Sequence, residues 1–310
     1  VFSGKKVPAR LSRRSAGGAS GVDGVAGSAF SCYGELDSEG TVMSKALSLS
    51  LLLGLSAGPA FAADGLVPHR AVYDVSLAES AMESNLVGVS GRLVYEITGS
   101  ACAGYSTTSR FVLEFQQAQG ANIVSDLRTA TFEDPEAGSF TFSYETYMDD
   151  VLTEQSKGEA QRGEGPMVVT ITQPAPRSFE LPAGTRFPNE LTQALVEAAN
   201  GGERFVGGEY FDGSSADVDL YQVSTVIAPQ AAAPSGANSA EAESLADVRG
   251  WHMALAYFDG AGAGDQSPTF TLSGNLYENG VAGDTTYNYG ELSVLATLTS
   301  YEALPETPCP

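Results

Sequence analysis

Histidine, cysteine and basic residues are scarce in this chain, and each shortage closes off a class of chemistry. The 310 residues include two His, three Cys and 16 Lys+Arg against 38 Asp+Glu, a formal net charge of −22. A metal centre wants His or Cys at ligand spacing, and His69 and His252 stand alone, so no metal or cofactor is implied. No Gly-x-Ser-x-Gly elbow marks a serine nucleophile. The negative charge repels nucleic acid, whose binding needs cations against its phosphates. No apolar run reaches the ~20 residues that a membrane-spanning helix requires. His69, after Pro68, and His252, on the strand face opposite Trp251 and Tyr257, read as hydrogen-bonded structural residues.

Other candidate motifs dissolve in the same way. Gly260-Ala261-Gly262-Ala263-Gly264 opens no helix, so it reads as a turn rather than a phosphate cradle. The acids Asp212, Asp217 and Asp219 depart from calcium-loop spacing. Asp149-Asp150 and Glu133-Asp134 are adjacent on the chain and point to opposite strand faces, which argues against a shared carboxylate site. They read as solvated turn residues. No catalytic group is predicted, and the chain is read as a non-enzyme.

The N-terminal region carries a processing pattern. Lys45, the apolar stretch 46–57 and Ala60-Phe61-Ala62 form a secretory signal over 43–62, with cleavage near Ala62. Residues 1–42 read as an upstream or disordered extension. The remainder, 63–310, is read as a single domain. Six of the 16 cations and four of the 38 acids precede residue 63, which leaves ten against 34 and a net charge of −24 beyond it. Cys32 falls before the cleavage site, so Cys102 and Cys309 remain either as separate thiols or as a pair. An oxidising compartment favours the pair, and a Cys102–Cys309 disulfide is predicted. No cysteine follows the cleavage site to take a lipid, so a soluble periplasmic protein is expected.

Period-two alternation dominates after residue 70. Leu93, Tyr95 and Ile97 share one face, as do Phe111, Leu113 and Phe115, then Phe140, Phe142, Tyr144 and Met148. Tyr221, Val223, Thr225 and Ile227 follow, then Phe270, Leu272 and Leu276, with Ser273 and Asn275 on the wet side. About a dozen half-buried antiparallel strands result. Residues 134–138, 162–165 and 278–280 read as hairpin turns, Asn279-Gly280 as type I′. One helix starts at Pro188, presents Leu191, Leu195 and Ala198, and ends at Asn200-Gly201-Gly202. Residues 173–176 and 181–182 read as a stiff extended connection before it, and 229–246 as a flexible surface loop. The fold class is mainly all-β, an up-and-down meander closed or coiled on itself. Its 13 Tyr and 14 Phe make bulky inner faces. These either pack as core or enclose space for a hydrophobic ligand.

Several segments read together carry a family resemblance. They are Leu66-Val67-Pro68-His69-Arg70-Ala71-Val72-Tyr73-Asp74, Gly99-Ser100-Ala101-Cys102-Ala103-Gly104-Tyr105, Asp126-Leu127-Arg128-Thr129 and Phe132-Glu133-Asp134. Phe187-Pro188, Phe211-Asp212-Gly213-Ser214, Leu276-Tyr277-Glu278-Asn279-Gly280-Val281 and Cys309 complete them. The chain resembles the EipB family of alphaproteobacterial periplasmic cell-envelope integrity proteins. That resemblance implies an overlapping antiparallel β-spiral forming an open-ended cylinder, with one short helix and one disulfide. It implies a non-enzymatic role in envelope homeostasis and stress resistance, and a periplasmic tetratricopeptide-repeat partner. The alternative is a carrier or sensor for a lipid-like ligand inside the cylinder.

Overall fold

Each alternating run becomes a strand because one face can be buried while the other stays in water. The computed structural model describes residues 65–81, 85–215, 220–228, 245–260 and 267–309. The extension, the signal, most of the loop at 229–246, Asp217, Asp219 and residues 261–266 lie outside the described residues. The chain first lays down β1 (His69–Ser80), β2 (Leu86–Ser100), β3 (Gly104–Gln117) and β4 (Ile123–Asp134). Next come β5 (Ser139–Met148), β6 (Val151–Gln161), β7 (Met167–Gln173) and β8 (Arg177–Leu181). Helix α1 (Pro188–Asn200) leads to β9 (Phe205–Tyr210), β10 (Tyr221–Ala228) and β11 (Gly250–Asp259). The last strands are β12 (Phe270–Tyr277), β13 (Ala282–Asn288) and β14 (Leu292–Ala303).

All 14 strands join one antiparallel sheet in the order β8-β7-β6-β5-β4-β3-β2-β1-β14-β13-β12-β11-β10-β9. The chain therefore starts in the middle, travels to one edge, crosses through α1 to the other edge and returns. The first and last strands pair with each other, His69 opposite Ala303 and Val75 opposite Ala296. The sheet stays open, with β8 and β9 as its edges.

The two ends of the sheet overlap. Phe211, just beyond β9, packs with Phe140, Phe142 and Phe179 of β5 and β8, and Leu220 joins the same apolar cluster. Arg186, just before α1, bridges Tyr210 of β9, its N–H bonded to Glu209 O and its carbonyl to Phe211 N–H. The overlap needs a residue without a side chain: a Cβ on Gly213 would stand 2.5 Å from the Phe142 ring, and its φ is +69°. The other inner faces and Leu191, Leu195 and Ala199 of α1 form the main core.

Four local expectations are corrected. Of Asn279-Gly280 only Gly280 has positive φ, +83°, while Asp149 and Asp150, at +49° and +64°, form the turn with two positive φ values. Asp tolerates that region because its short polar side chain bonds locally; Asp149 exchanges hydrogen bonds with Val124 through its N–H and Oδ1, both at 2.9 Å. Residues 173–176 are not an extended connection: they reverse the chain so that β7 and β8 pair, Ile171 opposite Arg177. Asn275 is buried rather than wet: it stays on the outer face, opposite His252 and in contact with its ring nitrogen, but is covered there. Glu133 is also buried, on the inner face with Leu127, Thr129 and Thr131.

Gly213→Ala is expected to cost about 2 kcal/mol or more, since the new Cβ meets a ring and a strained φ together. Gly163→Ala, with nothing within 4 Å of its Cβ, is expected to be close to neutral. Urea melts of both variants check the contrast. Equal stability would show that the overlap does not require the glycine.

Candidate functional site

The predicted cysteines meet at one end of the sheet. Cys102 occupies the tight turn between β2 and β3, flanked by Gly99 and Gly104 at φ +117° and +80°. The Ser100 hydroxyl organises that turn, accepting the Ala103 N–H at 3.2 Å. Cys102 is disulfide-bonded to Cys309, with Cα atoms 5.5 Å apart and a sequence separation of 207. The C-terminal tail reaches it along a fixed course: Leu304 N–H donates to Pro68 O at 2.8 Å and Thr307 N–H to Gly99 O at 3.1 Å. The start of the described chain is tied to the same corner. Leu66 N–H donates to the Tyr105 hydroxyl at 2.9 Å, and Val67 N–H donates to Asn279 O at 3.0 Å.

His69 lies within this corner, nearly inaccessible, between the rings of Tyr95 and Tyr301. Burial holds its pKa down at about 4, against the pull of its hydrogen bond to Val67 O. A carbonyl only accepts, so Nδ1 carries the proton of the neutral ring in that 2.7 Å bond.

A second constellation anchors α1. Glu133 points inward from β4 and is 5 % exposed, with Oε1 accepting the Asn189 N–H at 2.8 Å. It therefore lies against the N-terminal end of the helix, where free N–H groups attract an acceptor. Desolvation dominates its titration and pushes the pKa up to about 8, despite hydrogen bonds from the Asn189 and Glu190 backbones. Glu190 closes the first turn by accepting the Phe187 N–H at 2.9 Å. Arg162 grips the same Glu190 carboxylate with two 2.6 Å bonds and stacks 4.2 Å from the Phe187 ring centroid. The signal for Glu133 was its parity with Leu127 on β4; the neighbouring Asp134-Pro135 turn obscured it.

His252 is on the outer face, and the structure brings it beside a serine. Its Nε2 is 3.1 Å from Ser273 Oγ and its Nδ1 3.2 Å from Asn275 Oδ1. The arrangement has the outline of a nucleophile, base and orienting amide. A seryl nucleophile also needs N–H donors aimed at a developing oxyanion. Ser273 is mid-strand, paired with Ala254 and Thr286, where backbone N–H groups are spent on the ladder. The three side chains satisfy one another on a sheet surface. Among the described residues no group of three or more His, Cys, Asp or Glu could hold a metal ion, and no helix is long and apolar enough to cross a membrane.

The inner aromatics stack on one another: Tyr257 on Phe270 at 4.2 Å and Phe140 on Phe187 at 4.9 Å between centroids. The hydroxyls of Thr129, Thr146, Ser156, Thr225 and Tyr257 find no hydrogen-bond partner among the described protein atoms.

Comparison with known proteins is specific. The EipB-like family model matches residues 60–305. Over 244 residues the chain is 34 % identical to the cell envelope integrity protein EipB of Brucella abortus (strain 2308), covering 78 % of this chain and 86 % of that protein. A crystal structure described as a β-barrel-like protein of a domain of unknown function, also from Brucella abortus, superposes with a TM-score of 0.71 at 31 % identity. It covers 78 % of this chain and 99 % of that one.

Two predictions follow from these anchors. Cys102→Ser is expected to lower the melting temperature by up to ~10 °C under oxidising conditions, because the cross-link removes chain entropy from the unfolded state; calorimetry with and without reductant checks it. The second concerns pH. The folded chain holds the Glu133 proton up to about pH 8 while the unfolded chain loses it near 4.5, so this group's contribution declines as pH rises between those values. His69 acts in the opposite sense: the unfolded chain gains a proton near 6.5 and the folded one only near 4, so its contribution declines as pH falls through that window. Above pH 6.5 the His69 slope fades and the Glu133 slope dominates. Melting temperature is expected to drop by about 5 °C between pH 6.5 and 8 in the parent and to stay flatter in Glu133→Gln. Parallel curves would remove Glu133 as the source.

Proposed function

This chain belongs to the EipB-like family, and from that premise we propose that it maintains cell-envelope integrity as a non-enzymatic, disulfide-stapled β scaffold in the periplasm. The observation that carries the reading is the 34 % identity over 244 residues to a protein named for envelope integrity, beside a family match over 60–305 that spans all 14 strands. The sequence supports the compartment through the secretory pattern at 43–62 and the two cysteines beyond it. A scaffold role fits the chemistry: histidines at structural posts, a serine on a flat strand, and a sheet fastened at both of its vulnerable places. A tetratricopeptide-repeat protein of the same compartment is the partner we propose on the family resemblance.

A second reading, binding of a lipid-like ligand inside the sheet, has one observation in its favour. The inner-face hydroxyls of Thr129, Thr146 and Ser156, on adjacent strands, lack protein partners, and polar atoms of a guest would satisfy them. Native mass spectrometry of protein purified from periplasm, with lipid extraction, discriminates the two: a co-purifying lipid supports the carrier, and an empty chain the scaffold.

Deletion of the gene is expected to raise sensitivity to detergents and cell-wall antibiotics, with rescue by the full chain and weaker rescue by Cys102→Ser. A deletion strain as resistant as its parent would overturn the envelope reading.

A further inference from the structure

The interior of the sheet is not packed evenly. Its two apolar clusters stay separate: Phe111 of β3 packs on the main core, and Leu127, directly opposite on β4, packs on the smaller one. Inward side chains around that division remain partly exposed, Thr107 and Ser109 on β3 with Ile123, Ser125 and Thr129 on β4. Their inward neighbours on β2 and β5 are buried: Leu93, Tyr95 and Ile97 on one side, Tyr144 and Thr146 on the other. From Ile123 to Thr129 is about 20 Å of strand at the usual rise per residue. The sheet curls over this strip, since the Phe111 ring lies 5.9 Å from that of Tyr287 on β13. A cleft thus runs along β3 and β4 inside the sheet.

The cleft changes character along its length. Tyr95, Ser109, Thr129, Tyr144 and Ser156 stand in register on five adjacent strands, so one row across the sheet consists of hydroxyls. Ser156 is 1 % exposed, and neither its hydroxyl nor that of Thr129 has a hydrogen-bond partner among the described residues. Beyond this row the cleft ends at α1, where Asn189 Nδ2 is 3.5 Å from Thr107 Oγ1. In the other direction the rows turn apolar: Leu93, Phe111 and Leu127, then Leu113 and Met148 beside Ser125, then Val89, Phe115 and Ile123. That end is open, with Val151, opposite Met148, 64 % exposed. Among the described residues, the inward positions of β2, β3 and β4 hold no Lys or Arg.

We infer that the cleft admits a single-chain amphiphile head-first, its neutral, hydroxyl-bearing head reaching the row of Ser109 and Thr129 and its alkyl chain lying along Phe111, Leu127 and Ile123. Polarity selects that occupant. A hydroxyl head both donates to and accepts from the hydroxyl row. A carboxylate or phosphate would lose its hydration there with no cation to replace it. An alkyl chain covers the partly exposed apolar side chains nearer the mouth. A polypeptide strand would instead bring backbone groups that the apolar rows leave unsatisfied. The inference rests on the second reading above, binding inside the sheet, and adds to it the head group and the direction of entry.

The test uses protein purified from periplasm and stripped of lipid on a hydrophobic resin. N-phenyl-1-naphthylamine serves as the fluorescent probe, with 1-lauroylglycerol, laurate and dodecyl phosphate as competitors. The lauroylglycerol is expected to displace the probe about tenfold more strongly than either anion. Ser109→Ala/Thr129→Val is expected to remove that preference. Ser125→Phe, which fills the path from the mouth to the hydroxyl row, is expected to weaken binding of the probe about tenfold or more. Because that larger side chain also risks the fold, the hydroxyl variant carries the decision, with melting curves recorded for both. Thr108→Val, on the outer face of β3, is expected to behave as the parent does. Equal displacement by laurate, or an unaltered preference in the hydroxyl variant, would overturn the head-first inference and leave the carrier reading standing. A lipid-free chain that takes up no probe would overturn both.

Discussion

The pairing of β1 with β14 is the contact on which the rest of the sheet depends. Twelve of the thirteen strand pairings join neighbours in sequence, and this one joins the two ends of the chain. Without it the molecule is two separate meanders, each with one more open edge. A contact of such sequence separation is costly in loop entropy and forms late relative to local hairpins. The disulfide lies beside it: Cys309 follows β14 by a short tail, and Cys102 sits in the turn that ends β2, the strand next to β1. The covalent bond thus acts where non-covalent closure is most expensive.

The other edge problem is solved without covalent chemistry. The sheet does not close between β8 and β9, and exposed ladder groups there would invite pairing with other chains. Arg186 covers part of β9, Phe211 tucks beneath β5, and α1 bridges the gap. That bridge is held by Glu133 and by the Arg162–Glu190 pair. A carboxylate buried far enough to keep its proton to about pH 8 still supplies an acceptor to the helix N-terminus. The cost of that burial is tolerated because the alternative is unsatisfied N–H groups in the interior.

Inner and outer faces divide the chemistry. Inside, tyrosines and phenylalanines stack, with hydroxyls distributed among them. Outside, His252 is satisfied by Ser273 and Asn275, and Arg110 and Arg128 share Asp126. The first outer cluster closes on itself; the second is continued by Glu145, which stands opposite Arg128 and pairs with Lys157.

Alternation along the chain was enough to establish the strands, their inward faces and the meander, because a period of two is a local property of pleated backbone. The helix was equally legible from Pro188 and the Leu191–Leu195 spacing. Residues near turns were read less well. Glu133 looked like a turn acid beside Asp134, whereas Asp149-Asp150, read in the same way, do form an exposed turn. Asn275 keeps the outer parity, opposite His252, yet is buried there by its neighbours. For Glu133 and Asn275 the deciding contact comes from another element, and no local pattern encodes it. Which strands form the edges, how the ends overlap, and which arginines face one another were likewise decided only in three dimensions. Local sequence determines which way a side chain points along its own strand; what it meets there depends on register with neighbours far away in the chain.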